Sequence, residues 1–263
     1  AFTFQWIMTG FGILMPALIF VSTFFYHEKH FQQAEKQLPF LQSLKECFKN
    51  RSFLVFEVIS FTVIYVQTSL MLGLNYYLSE FSVPAVPLYA ALGVGIVGGI
   101  FFFVNFREKL GVKRATMLMA AVFSIGCFII LLLGRTLIPS ILGFFCFGIG
   151  FAGGMYLIPL MNGDVVDMDE HRTGLRREGM YAGVNSFITK PAISLANSAF
   201  IWFLTLFGYN FSGLTGTQSS QAETGILLGW VLIPGILLAI SFLSLFLYPL
   251  FGKQWDAIKA NLS

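Results

Sequence analysis

The chain has 263 residues, 56% of them hydrophobic, only 11% charged and 31 of them phenylalanine, a balance that puts most of the molecule in lipid and excludes a soluble globular domain. Its formal net charge of +3 is spread over the polar connections. That leaves no basic face for a nucleic acid.

Seven stretches are free or nearly free of charge: residues 2–25, 53–78, 87–106, 115–134, 137–161, 179–207 and 226–250. Each reaches the ~20 residues that a helix rising ~1.5 Å per residue needs to cross ~30 Å of hydrocarbon. Seven spans are predicted. The first is too long for a cleavable signal peptide and has no basic leader; because it starts at Ala1 rather than methionine, the chain reads as a fragment. After it comes the longest polar connection, "EKHFQQAEKQLPFLQSLKECFKNRS", in which Phe40, Leu41, Leu44 and Phe48 recur at helical spacing. A short amphipathic helix lying along the membrane interface is expected there. The second span carries Glu57 about two turns from Arg51, close enough to an interface to reach it or to pair with a basic linker residue. Two later spans hold "GVGIVGG" (Gly93 to Gly99) and "GIGFAGG" (Gly148 to Gly154), small faces suited to close helix packing.

Basic residues near span ends stay in the cytoplasm, so their distribution sets the orientation. Fourteen of the 16 Lys and Arg residues lie in the connections 26–52, 107–114 and 162–178 and in the tail; the opposite connections hold only Arg135, and Lys190 lies within a span. The first span therefore runs inward and the C-terminus is cytoplasmic. One bundle with a helix left over is what remains when a two-bundle transporter loses most of its first half.

No acid, base and nucleophile set converges within the spans, so no enzyme is expected. Cys47, Cys127 and Cys146 form no disulfide framework, and His27, His30 and His171 form no ligand cluster. No cofactor or metal site is expected. Polar groups inside the spans carry the functional signal, because charge in hydrocarbon is costly. Lys190 stands eleven residues past Gly179, ~16 Å along a helix and near mid-membrane. Asn185, Ser186 and Thr189 lie within one and a half turns of it, giving one wall the donors, acceptors and positive charge that a hydroxyl-rich or anionic solute requires. Tyr156 is a candidate cavity aromatic. Between the fifth and sixth spans, "GDVVDMDEHRTGLRREG" (163–179) gathers five acids and three arginines.

The run "DVVDMDEHRTGLRREGMYAGVNSFITK", from a loop into a span that carries a lysine, resembles the segment between helices ten and eleven of the glycoside, pentoside and hexuronide cation symporters of the major facilitator superfamily. "EKLGVKR" (108–114) is similar to a degenerate form of the superfamily's loop motif, with Val104 where a glycine is usual. The resemblance implies an all-α membrane bundle of which this chain holds helices six to twelve of twelve. Residues 1–26 would end the N-terminal bundle, 27–52 would be a cytoplasmic linker, 53–252 the C-terminal six-helix bundle and 253–263 a cytoplasmic tail. It also implies sugar and cation symport by alternating access in the cell membrane by a monomer. The sugar face would be Lys190, Asn185, Ser186, Thr189 and Tyr156, and the coupling Na+ or H+ would bind the missing N-terminal helices. Asp164, Asp167, Glu170, Arg172, Arg176 and Glu178 would form a cytoplasmic ion-pair latch. A lysolipid facilitator of the same superfamily, or a non-transporting receptor or scaffold, are the alternatives.

Overall fold

A computed structural model describes residues 2–25, 39–81, 83–213 and 216–260, which leaves His27, His30 and the first part of the predicted linker, 27–38, outside the described residues. The chain divides into two units, Ala1–Gln37 and Leu38–Ser263. In the first, α1 (Phe2–Phe25) carries no charged residue. Its Ser22 and Thr23 hydroxyls each donate to the Ile19 carbonyl at 2.8 Å, so neither is left unpaired in an apolar setting.

The second unit is a bundle built of α2 (Phe40–Lys49), α3 (Arg51–Glu80), α4 (Ala85–Leu133), α5 (Leu137–Thr173), α6 (Glu178–Leu206), α7 (Ser220–Leu227), α8 (Ile233–Ser244) and α9 (Gly252–Ala260). A π turn over Leu228–Leu232 joins α7 to α8, and a 3₁₀ turn, Leu245–Leu247, closes α8. Six described helices or helix runs have the length and composition to cross a membrane, and the protein is an integral, multi-pass membrane protein. The 49 residues of α4 would extend ~73 Å as one rod, more than twice the hydrocarbon thickness. Gly111 breaks it, at φ 75 and ψ 154, a conformation that only glycine adopts readily. The helix therefore crosses twice, and seven crossings stand as the charge-free stretches predict.

On α2 the packing differs from the spacing argument. Cys47 is buried and Leu44 half-buried, whereas Leu41 and Phe48 are exposed. The face toward the protein is thus set by Leu44 and Cys47, and the flanking apolar residues are left for lipid. Burial pushes the Cys47 thiol up to about 12, which leaves it inert.

The two arms of α4 pack along α5, and the glycine runs permit it. A side chain at Gly95 would strike the Phe145 carbonyl, and one at Gly148 the Leu92 carbonyl, so the helices meet backbone to backbone. The core gathers on Trp230, whose ring lies 4.9 Å from Tyr77, 5.9 Å from Phe147 and 6.1 Å from Phe144 between centroids. Tyr77 donates to the Gly134 carbonyl at 2.5 Å, tying this cluster to the α4–α5 turn.

Trp230 lies in the π turn because of Pro234, four residues on, which has no N–H to give the Trp230 carbonyl. Ser69 of α3 supplies the missing donor at 2.9 Å, and the Trp230 indole N–H returns a bond to the Leu70 carbonyl at 3.3 Å. At the same end of the bundle, Glu80 accepts from the Tyr209 hydroxyl at 3.1 Å and the Gly216 amide at 2.8 Å, while Arg135 bonds Glu223 at 2.8 Å. Ser69→Ala strands a buried carbonyl and is expected to cost about 1–3 kcal/mol, read as a lowered melting temperature of the full-length protein in detergent. An unchanged melt would mean that the proline gap is filled in another way.

Candidate functional site

The site is carried by α6, and its placement begins in the loop before it. Arg177 grips Asp169 near the end of α5 with both arms, Nε at 2.8 Å and Nη2 at 2.6 Å, and Asp169 is only 3% exposed. That bond, above all, holds the Arg177 guanidinium above its usual range. One turn into α6, the Tyr181 hydroxyl accepts from Asn50 at 3.2 Å and its ring meets Phe53 edge-on at 5.1 Å. A further turn on, Ser60 of α3 donates to the Asn185 side chain at 3.1 Å, and Thr189 donates to the Asn185 carbonyl at 2.7 Å.

These contacts divide the residues that spacing grouped together. Asn185 is tied to α3, and Thr189 is buried and bonded back to its own helix. Ser186 and Lys190 are exposed, and Ser194, Asn197 and Ser198 continue the same open side of the helix. Lys190 forms no ion pair with a described residue. Ile193 and Ile201 are exposed on the same side, but an ammonium among hydroxyls and an amide is costly in lipid, so this side of α6 suits a water-filled cavity or another protein surface.

Beside that strip an open cleft of about 540 Å³ is lined by Gln67, Thr68, Met71 and Leu72 of α3, Phe151 of α5 and Asn197 of α6. The Gln67 amide nitrogen is buried behind this lining, beside Gly154, without an acceptor among the described residues. Neither Gln67 nor Asn197 was singled out from the sequence, though a signal existed: Asn197 follows Lys190 by seven residues, two turns along one face. Tyr156 does not line this cleft. It sits 5.9 Å beneath the Arg107 guanidinium, because five residues of helix turn it well away from Phe151.

The charged run lies at the basic end of the bundle. Asp164 is 1% exposed and accepts from Lys259 of α9 at 2.5 Å. Arg176 serves three carboxylates, Glu178 at 2.6 Å, Glu170 at 2.9 Å and Asp167 at 3.7 Å. Arg172 is exposed in the last turn of α5 and makes no ion pair with a described residue. The pair that sequence reasoning missed is Asp169–Arg177, hidden among like neighbours. In the "EKLGVKR" loop, Gly111 makes the break and Lys113 donates to the Phe246 and Tyr248 carbonyls at 3.1 and 2.9 Å, capping the last crossing. Around it, Arg107, Lys109, Arg114, Asp164, Trp255 and Lys259 border a hollow of about 450 Å³.

Glu57 departs from expectation. It is 6% exposed, and neither carboxylate oxygen accepts a hydrogen bond from a described residue, so it faces the interior rather than an interface or a basic linker partner. Among the described residues no three His, Cys, Asp or Glu side chains gather to hold a metal.

Comparison with known proteins places this geometry. The family described as MFS/sugar transport protein, of the major facilitator superfamily, matches residues 2–251. The chain belongs to that family. Its all-α helix bundle is of the major facilitator type. The chain is 26% identical over 226 residues to an isoprimeverose transporter of Lactiplantibacillus pentosus, covering 82% of this chain and 45% of the relative. It is 30% identical over 103 residues to YagG, a candidate glycoside/cation symporter of Escherichia coli (strain K12), covering 39% of this chain and 22% of that protein. The chain thus spans less than half the length of these curated relatives.

Removing either member of the Arg177–Asp169 pair leaves the other charge stranded at the foot of α6. Arg177→Ala and Asp169→Ala are each expected to cost about 3–5 kcal/mol, and the double variant less than their sum. A double-mutant cycle by denaturant unfolding checks this; strict additivity would remove the pair as the joint.

Proposed function

We propose that the full-length protein is a secondary active transporter that moves a sugar together with Na+ or H+ by alternating access. The observation that carries the reading is Lys190: a lysine deep in α6, without an ion-pair partner among the described residues, on an open polar strip next to an amide-lined cleft. A lipid-facing helix gains nothing from such a strip, whereas a solute rich in hydroxyl or carboxylate groups gains both hydrogen bonds and charge. Membership of a sugar-transport family and the names of two relatives, one for a sugar and one for a glycoside with a cation, support the same substrate class. Glycosides, pentosides and hexuronides are the candidates. Lys190 and Ser186 would face the solute directly, with Asn185 and Thr189 holding the wall in place. The coupling cation would bind acids of the N-terminal bundle, beyond this chain.

The lysine and arginine distribution supports a cytoplasmic C-terminus; the family resemblance suggests a monomer in the cell membrane. The basic end is then the cytoplasmic end. There Asp164, Asp167, Glu170, Arg172, Arg176 and Glu178 would act as a latch, trading partners with the N-terminal bundle as the inner gate closes and opens. Support comes from Arg176, which three carboxylates share, and from Arg172, which makes no ion pair with a described residue. Each exposed pair contributes roughly 0–1 kcal/mol, but a network biases two states that differ by only a few kcal/mol.

In vesicles carrying the full-length protein, an imposed Na+ or H+ gradient is expected to drive accumulation of at least one sugar or uronic acid from a radiolabelled panel. Lys190→Ala is expected to abolish that accumulation with insertion intact; normal accumulation by the variant would take Lys190 out of the mechanism. Failure of the wild type across the whole panel, in protein shown to be folded, would transfer the reading to a lysolipid facilitator or a receptor. For the latch, Asp164→Asn with Asp167→Asn is expected to shift the inward and outward populations. Cysteine-accessibility labelling on the two faces reads the shift, and identical labelling would sink the latch.

A further inference from the structure

We infer that the cleft between α3, α5 and α6 is a second sugar subsite, in which Gln67 and Asn197 bind the hydroxyls of a neutral pyranose unit joined to the unit held at Lys190. The inference rests on the sugar-transport reading and deepens it. Asn197 follows Lys190 by two helical turns on the same open face, a rise of ~10.5 Å. That separation exceeds one pyranose ring and matches two linked ones. The cleft's volume of about 540 Å³ falls within the range of small-molecule sites, and none of its lining residues is ionisable. A charged unit would be recognised at Lys190; a neutral one fits the cleft.

The chemistry of the lining is specific. Gln67 and Asn197 each offer an amide N–H₂ and a carbonyl, the set that can donate to one ring hydroxyl and accept from its neighbour. The Gln67 nitrogen is packed beside Gly154 and has no acceptor among the described residues, so turning the side chain outward to a ligand oxygen would break no hydrogen bond. Phe151 supplies an aromatic wall and Met71 an adaptable apolar one for the C–H face of a sugar ring. The Thr68 hydroxyl gives its proton to the Ile64 carbonyl at 2.8 Å and can only accept from a ligand, leaving the two amides as the groups that both donate and accept. The subsite would make the transporter read substrate length.

The test uses the full-length protein purified in detergent. Equilibrium binding of radiolabelled cellobiose, melibiose and isoprimeverose is compared with that of glucose, galactose and xylose, in the wild type and in Gln67→Leu and Asn197→Leu. Each substitution is expected to weaken the best disaccharide about tenfold or more, the loss of one good hydrogen bond, while changing the best monosaccharide by less than about threefold. Equal weakening of both sugar classes, or no weakening of either, overturns the subsite. Asn197 is exposed, so Asn197→Leu decides the matter if Gln67→Leu fails to fold. A wild type that binds neither class overturns the sugar reading and the subsite together; a wild type that binds sugars with both variants indifferent overturns the subsite alone.

Discussion

The orientation of α6 depends on a row of polar contacts that holds it to its neighbours. Only 28% of its best apolar window is buried, against 44–67% for the other crossings of its unit, so core packing alone cannot fix its rotation. Instead the Arg177–Asp169 fork anchors its foot, and Asn50–Tyr181 and Ser60–Asn185 continue the row at roughly one-turn intervals. In lipid, apolar surface contributes no net drive between helices, and interhelical hydrogen bonds contribute about 0.6–2 kcal/mol each. Four side-chain bonds on one side of a helix are enough to choose that side. The adjoining side, with Ser186, Lys190 and Asn197, is left open, while Asn185 is held to α3 and Thr189 is tied back to the Asn185 carbonyl of its own helix.

The same accounting governs the helix breaks. Hydrocarbon supplies no water to an orphaned carbonyl, so each break must bring its own donor. At the π turn the donor is Ser69, aimed at the carbonyl that Pro234 leaves empty. At the end of the last crossing it is Lys113, whose ammonium also lies 3.9 Å from the Phe251 ring centroid. Lys113 can reach those carbonyls because Gly111, two residues earlier, ends one arm of α4 and starts the next. A loop motif that looked degenerate by its missing glycine thus retains its glycine and lysine in working positions, one making the turn and the other capping a neighbouring helix.

What was legible in the sequence follows from how each feature is encoded. The crossings were legible, since charge is excluded along each over ~20 residues, and so was the mid-span lysine. The glycine seam between α4 and α5 was legible as small faces, although which glycine meets which carbonyl was not. The Asp169–Arg177 joint was hidden because eight charges in seventeen residues admit many pairings, and the one that forms depends on where α5 ends and α6 begins. Phe151 and Gln67 were hidden for the opposite reason. A single aromatic or amide in an apolar span looks like packing until a neighbouring helix faces it, and Tyr156, which the sequence singled out, lies under the Arg107 guanidinium. On α2, spacing identified the helix but not its inner face, which Leu44 and Cys47 took from the bulkier Phe48.

These features divide the bundle into parts that hold and parts that exchange. Contacts within the helices are saturated: Ser69 with Trp230, Tyr77 with Gly134, Ser241 with Thr62 and Ser60 with Asn185 all lie inside one bundle. Groups tied in this way have no reason to change partners, so the bundle is suited to move as one body. The groups with surplus valence lie on its boundary. Three carboxylates share Arg176, Arg172 has no ion pair with a described residue, and Lys190 faces the open side. Rigid-body alternating access requires that arrangement, because partners can be traded between two bundles only where neither has already been satisfied by its own. Glu57 stands apart from both sets, since its whole carboxylate is interior and accepts no hydrogen bond from a described residue, and single atoms of Gln67, Asn162 and Tyr248 are likewise buried without a partner among the described residues.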